Sequence, residues 1–435
     1  MKRYITLLLI VSLIVSCSYK EDDAFDKKPA ERTTETLEHY KKTLEDGSYW
    51  LLTYYPEVYR SLGKLPRAHH SIGGYNIFLK LKDGKVSASS EMMKDNSEYT
   101  TYFTYQITEG PTLSFDTYND VIHHFRRTSG QFPNARGGDI EFGITKEEKE
   151  VFTLLGRTSN TTFTLTKFTG DRTEYLNKVR ENANTLKGKG LNSIQVNGKT
   201  ISLLLFPSYR QLVFSYDDQN IQQAFIVTDK GIKFYEPVNV NGTKIEELYI
   251  NEAKTGLITP DNAISITFVS CPIEINGTAK SIWFNQGYVS NVFLTSFNTT
   301  NAWIQWGYSW YDLARNTELL VSTIKGNDDQ SVVGFTKFVS YSSAYEGGSW
   351  TYYEADFVGV GDHPDQVRII LKDPSDNESL RTGEYRNQIQ FFSQLVTILY
   401  RRIANSGPYT VEDEGIRYKL TSVANSENWF YLYKN

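Results

Sequence analysis

The sequence predicts a mainly β protein: a β-rich α+β chain of antiparallel barrel-like or sandwich modules with a few helices. Three observations predict it. Aromatic residues reach 14%, with 30 Tyr and 24 Phe, a bias toward strands. Apolar residues repeat with period two in short runs at hairpin-like spacing. Asp-Gly and Asn-Gly pairs, which supply the left-handed residues of tight hairpins, separate many of these runs. A length of 435 residues implies more than one domain, at roughly 100–200 residues each. With 40% apolar and 22% charged residues the composition is globular. Lys plus Arg number 46 against 51 for Asp plus Glu, so no basic nucleic-acid surface is suggested.

The chain opens MKRYITLLLIVSLIVSC. Lys2 and Arg3 precede an apolar run from 5 to 15 that is too short to span a bilayer as a helix. This is the pattern of a secretory signal, with an uncleaved membrane anchor as the competing reading. Ile14-Val15-Ser16-Cys17 resembles a bacterial lipobox. That resemblance implies removal of residues 1–16 and acylation of Cys17, which would hold the mature chain on the outer membrane. Residues 17–32 are polar and read as a flexible tether. Within them, Lys20 followed by Glu21, Asp22 and Asp23 resembles the surface-export signal of Bacteroidetes lipoproteins. The implied location is lipid-anchored and facing the cell exterior. An ordinary solvated tether has the same charge pattern. With Cys17 acylated, Cys271 has no disulfide partner within the chain. Its run ISITFVSCPIEI reads as a strand with a small buried hydrophobe.

A first β-rich domain is expected over 33–170. It starts with a short amphipathic helix, in which Leu37, Tyr40 and Leu44 share a face and Gly47 is the stop. Trp50, Leu52 and Tyr54 then alternate, followed by Tyr75, Ile77, Leu79 and Leu81 before the Asp83-Gly84 turn. The runs TTYFTYQI, PTLSFDTY, DIEFGI, EVFTLLG and TTFTLTKF continue the pattern. At 171–190 the period changes. Asp171 three residues before Glu174 reads as a helix start, and Gly188 and Gly190 as its end, giving a junction helix. A middle β-rich domain over 191–280 carries Asn-Gly turns at Asn197, Asn241 and Asn276. A C-terminal β-rich domain over 281–435 adds one long helix at 388–405, with Phe392, Leu395, Leu399 and Ile403 on one side.

Four blocks, GGYNIFLKLKDGKV, GPTLSFDTYNDVIHHF, GGDIEF and TDKGIKFYEPVNVNG, occur in this order. They resemble the conserved blocks of a family of Bacteroidetes lipoproteins catalogued as domain of unknown function 4302. The resemblance runs from about Thr36 to the C-terminus. It implies no catalytic residues. Surface lipoproteins of these bacteria often accompany TonB-dependent transporters in nutrient capture, so such a complex is the expected partner by context.

The sequence holds no G-x-S-x-G elbow, HExxH pair, Walker loop or G-x-G-x-x-G fingerprint. The reading leans away from an enzyme, and no cofactor or metal is expected. A carboxylate-dependent hydrolase of glycan or peptide stays open, because it needs only two acids placed by the fold. An adhesion or assembly subunit stays open as well. His69-His70 and His123-His124, with Asp116 or Asp120, could supply metal ligands, but solvent-facing loop or strand-end histidines are the preferred reading. SYDDQN and GNDDQS read as acidic turns, since neither has calcium-loop spacing. The segment 301–311 is the binding candidate. If extended, it places Ile304, Trp306, Tyr308 and Trp310 on one face and Trp303, Gln305 and Tyr311 on the other. Trp303, Gln305, Trp306, Tyr308 and Trp310 could stack a sugar or flat ligand, with core packing as the alternative role. Trp350, Tyr352 and Tyr353 could extend that surface.

Overall fold

The structure is a computed structural model that describes residues 29–56, 73–93, 95–126, 137–273, 280–283, 317–325, 331–339, 349–371, 380–382 and 403–433. The protein is mainly β, as the alternation predicts. Three antiparallel sheets follow one another along the chain.

Helix α1 (Pro29–Leu44) opens the described chain. Its first turn falls inside the segment expected to be tether. Proline is suited to that turn, where its missing N–H has no helical acceptor to lose. Glu31 in the first turn and Lys41 and Lys42 in the last suit the helix dipole. Gly47, at φ +89°, turns the chain after the helix. Leu44 is fully buried, and its carbonyl accepts from Trp50 Nε1 at 3.1 Å.

The first sheet has nine strands. They are β1 (Tyr49–Tyr54), β2 (Tyr75–Lys82), β3 (Lys85–Ser90), β4 (Tyr99–Tyr102), β5 (Thr104–Ile107), β6 (Pro111–Ser114), β7 (Glu141–Glu148), β8 (Val151–Gly156) and β9 (Thr162–Phe168). The order is β4-β3-β2-β1-β9-β8-β7-β6-β5. The two ends are halves of one segment, bent at Phe103. One half pairs with β3 and the other with β6, so the sheet curls into a barrel. Trp50, Leu52 and Tyr54 point inward, as their spacing requires. Asp83 and Gly84 take φ of 49° and 69°, the left-handed pair expected of the hairpin. The interior is filled with rings. Tyr54 stacks at 5.2 Å on Phe163 and 5.7 Å on Phe125, among Phe115, Phe142 and Phe152. A small barrel packed this way is a solid core rather than a ligand cup. The run PTLSFDTY is a strand only to Ser114. Beyond it, Asn119 Oδ1 accepts from the amides of Val121 and Ile122, and residues 124–126 form a 3₁₀ turn.

Helix α2 (Arg172–Leu186) is capped by Asp171, whose carboxylate accepts from Glu174 N at 2.8 Å. It ends four residues before Gly190, which already belongs to a strand. The second sheet comprises β10 (Lys189–Leu191), β11 (Ile194–Val196), β12 (Lys199–Phe206), β13 (Gln211–Tyr216), β14 (Gln219–Val227), β15 (Gly231–Val240), β16 (Thr243–Ile250), β17 (Gly256–Ile258) and β18 (Ser265–Ser270). Its order is β10-β18-β17-β16-β15-β14-β13-β12-β11. Here too the ends adjoin in sequence: β10 pairs with β18 and β11 with β12. Cys271, just past β18, is half-buried rather than fully inside, and its amide donates to Gly188 O, one residue beyond the β10–β18 pairing.

The third sheet contains β19 (Lys280–Trp283), β20 (Thr317–Lys325), β21 (Ser331–Val339), β22 (Ser349–Val360), β23 (His363–Leu371), β24 (Leu380–Thr382), β25 (Tyr409–Asp413), β26 (Arg417–Ser422) and β27 (Trp429–Tyr433). Its path is β19-β20-β21-β22-β23-β25-β26-β27, with β24 against β22. Phe357, Val367, Ile369, Tyr409, Leu420 and Phe430 are among its buried side chains. Of the long helix expected at 388–405, only 403–405 are described, and they are helical. Among the described residues no helix is long and apolar enough to cross a membrane.

Candidate functional site

The residues singled out from the sequence have different fates. Cys17, Lys20, Glu21, Asp22 and Asp23 lie outside the described residues, as do Trp303, Gln305, Trp306, Tyr308 and Trp310. So do His69, His70 and the GNDDQS turn. Trp350, Tyr352 and Tyr353 fall in β22, with their side chains outside the described ones. His123 and His124 sit on a tight turn rather than a strand. His123 Nδ1 accepts from Asn119 N at 3.2 Å, and burial holds its pKa below the usual imidazole value. Asp116 accepts from Ser114 Oγ at 2.6 Å and Asp120 from Tyr118 at 2.9 Å. These groups are absorbed into local turns. Among the described residues no cluster of His, Cys, Asp and Glu could hold a metal. Asp217 of SYDDQN sits in the β13–β14 hairpin turn at φ 48° and pairs with Lys199.

The informative geometry lies at the two places where the sheets meet. At the first junction, Gly74 bridges to Ile226, and Gly73 N and Gly74 N donate to Tyr209 O and Phe225 O at 2.7 and 2.9 Å. A Cβ on Gly73 would stand 2.3 Å from Phe225 O, so backbone meets backbone there. Arg210 crosses the seam. Its Nη1 lies 2.7 Å from Glu91 Oε1, its guanidinium lies 4.0 Å from the centre of the Tyr75 ring, and Gly74 O accepts from it as well. Burial pulls the Arg210 pKa down, but the Glu91 charge and hydrogen bond together with Tyr75 and Tyr55 outweigh it and leave the pKa raised. Asn76 ties Glu91 to Val227 O, the latter at 2.8 Å, and receives a hydrogen bond from Tyr175 of α2.

Helix α2 locks the same seam from outside. Arg172 donates to Ser89 Oγ and Asn96 O, and Arg180 to the carbonyls of Ser90 and Met93. On its other side, Val179 and Leu186 enter the core of the second sheet, and Asn182 Nδ2 donates to Thr228 O at 2.9 Å. Phe78, which alternation turns out of the first barrel, is fully buried because Phe168 and Tyr175 cover it.

The second junction is built differently. Gly188 O accepts from both Cys271 N and Gly359 N, at 3.1 and 3.2 Å. A Cβ on Gly190 would stand 1.9 Å from Gly359 O, and one on Gly361 1.9 Å from Leu191 O. Glycines therefore let β10 lie directly against β22. Asp362, at φ 64°, clasps the neighbouring sheet. Its amide donates to Asn192 Oδ1 at 2.8 Å, and its carboxylate accepts from Ser193 N at 3.3 Å. Ser208 Oγ donates to Asp356 Oδ1 at 2.6 Å.

Beside this seam opens a cleft of about 270 Å³. Ser202, Leu203, Leu205 and Ser215 of the second sheet line it opposite Val358 and Arg368 of the third. Val367 and Ile369 are buried in the third sheet's core, so the period of two turns Arg368 the other way, into the cleft. Arg368 is half-buried, and burial alone lowers its pKa. Among the described residues no hydrogen bond or carboxylate meets it.

Sequence reasoning missed this site. The run QVRIILK carries only the pattern of a strand. The available signals were a lone Arg in an apolar strand and the G-x-G-D turn at 359–362.

No curated protein matches the chain. A solved structure of a protein with unknown function from the DUF3598 family, from Nostoc punctiforme PCC 73102, is 10% identical. The match covers 76% of this chain and 96% of that one, with a TM-score of 0.14, which carries no argument about fold or function. The family match ends at 252, whereas the sequence blocks suggested a resemblance to the C-terminus; β17, β18 and the third sheet lie beyond it. The family described as Domain of unknown function (DUF4302) matches residues 21–252, more than half of the length, and the chain belongs to that family.

Proposed function

We propose that this chain is an outer-membrane lipoprotein, anchored through acylated Cys17 and facing the cell exterior. There it binds a ligand or partner in nutrient acquisition beside a TonB-dependent transporter. The signal, the Ile14-Val15-Ser16-Cys17 motif and the Lys20-Glu21-Asp22-Asp23 run support the location. The observation that carries the binding role is the cleft at the second junction, where a half-buried cation meets apolar walls. Concave sites with apolar walls and few polar groups are the usual form of small-ligand sites. Among the described residues the cleft lining holds one carboxylate, Asp362, which favours binding over two-carboxylate hydrolysis.

The test is purification of the tagged lipoprotein from native outer membranes in mild detergent. A TonB-dependent transporter in the eluate is the expected result. Recovery of the protein alone would remove the uptake role. In parallel, Cys17→Ser should move the protein from the membrane fraction to the soluble one. If that variant stays on the membrane, the lipid anchor at Cys17 is wrong.

A further inference from the structure

We propose that the cleft between the second and third sheets binds the carboxylate of a small organic acid, with Arg368 as its counter-ion. The inference rests on reading that cleft as a ligand site, and adds the chemical class.

Arg368 is the exception among the arginines at the junctions. Arg172 and Arg180 are saturated by carbonyls and hydroxyls of the first barrel, and Arg210 by Glu91 and Gly74. A half-buried guanidinium pays a desolvation cost that a partner normally offsets. For Arg368 the described residues offer none, and the side chain lines open volume. A planar fork of donors suits a carboxylate held by two parallel hydrogen bonds.

The rest of the lining narrows the ligand. Leu204, which alternation turns out of the second sheet's core beside Ser202, offers an apolar surface for a short hydrocarbon body, with Val358 on the other side. Ser202 adds a hydroxyl, whereas the Ser215 hydroxyl is already turned to Asn220 Oδ1 at 2.6 Å. A volume of about 270 Å³ fits a small molecule and not a polymer segment. Asp362 at the lip adds one negative charge, so a singly charged acid is favoured over a dicarboxylate or phosphate.

The test is calorimetry on the mature chain carrying Cys17→Ser, with hexanoate, hexanol and inorganic phosphate as probes. Hexanoate is expected to bind saturably at one site, with hexanol and phosphate silent. Arg368→Gln should weaken hexanoate at least about tenfold, and Arg368→Lys should restore part of the loss. The thermal midpoint of unliganded Arg368→Gln should stay unchanged, because no pair among the described residues is broken. Absence of hexanoate binding, binding indifferent to Arg368→Gln, or binding of phosphate in its place would overturn the assignment. So would a large drop in the thermal midpoint of Arg368→Gln, which would make the arginine structural. Transporter co-purification reads the uptake role separately, so either idea can fail alone.

Discussion

At the first junction a buried arginine is surrounded; at the second a half-buried arginine meets no partner among the described residues. Arg210 has Glu91, the Tyr75 ring and the Gly74 carbonyl around it, and its pKa ends above the ordinary value despite burial. Arg368 feels burial alone, and its pKa is lowered. The partners of Arg210 come from the first barrel, and α2 clamps the same seam with two more arginines. The second seam relies on glycine-lined backbone contact and the Asp362 clasp instead. Polar side chains are spent on cohesion in one place and left for something else in the other. A buried pair is costly to break because removing one partner strands the other. Arg368 meets no partner among the described residues, so its substitution breaks no pair there, and an anion bound in the cleft would offset its desolvation.

Four measurements would break or sharpen this contrast. The largest effect is expected for Glu91→Gln, which strands Arg210 almost wholly inside the protein. The loss should be about 3–5 kcal/mol, read by denaturant unfolding with hydrogen exchange on β2 and β14 to localise it. Arg368→Gln in the same assay should change stability by less than about 0.5 kcal/mol. Equal losses would erase the distinction between the junctions.

Gly190→Ala comes next. The added methyl meets Gly359 O at 1.9 Å, and a backbone carbonyl in a ladder has little room to yield. A cost of about 1–3 kcal/mol is expected, with faster exchange in β22 and β23 and no change at β2. Protection lost at both seams would show that the junctions are one cooperative unit. Smaller still is Asp171→Ala, which removes the cap accepting from Glu174 N. It should cost about 1 kcal/mol and loosen the Arg172 and Arg180 contacts, leaving the second seam untouched.

The parts of this fold legible in the sequence are the local ones. Trp50, Leu52 and Tyr54 announce an inward face, Asp83-Gly84 and Asn197-Gly198 announce turns, and Asp171 with Glu174 announces a helix start. Each needs only neighbours within a few residues. Barrel closure was not legible, because it depends on bends at Phe103 and at Asn192-Ser193 that let one segment serve two neighbours. Nor was the start of α1 at Pro29, where a residue that usually stops helices sits in the one turn that tolerates it. The candidate site was illegible for the same reason as closure. Glu91 is 119 residues from Arg210, and the walls facing Arg368 come from strands near 200. Alternation says that Arg368 opposes Val367 and Ile369 across its strand, but only the docking of two sheets decides whether that side meets water, a carboxylate or a cleft.

The smallest expected effect uses pH to separate the first barrel from both seams. Burial lowers the His123 pKa below its ordinary 6.5, with Arg126 adding to the shift, while the Asn119 hydrogen bond and Asp116 oppose it. Well above 6.5 the ring is neutral in folded and unfolded chains alike, and stability is at its full value. As pH falls through 6.5 the unfolded chain takes up a proton that the folded barrel resists, so the barrel loses stability until pH passes the lower folded pKa. His123→Gln removes the titration and should flatten that decline. The stability gap between wild type and variant should therefore differ between about pH 8 and about pH 5.5, with the change seen in exchange of β6 and β7 and not of β22. Arg210 and Arg368 keep their charge over this range, so both seams should stay level while the barrel softens. A pH response shared by β22 and β23 would mean that the two junctions pass strain to one another, and the contrast between a closed and an open arginine would then describe one coupled assembly instead of two independent seams.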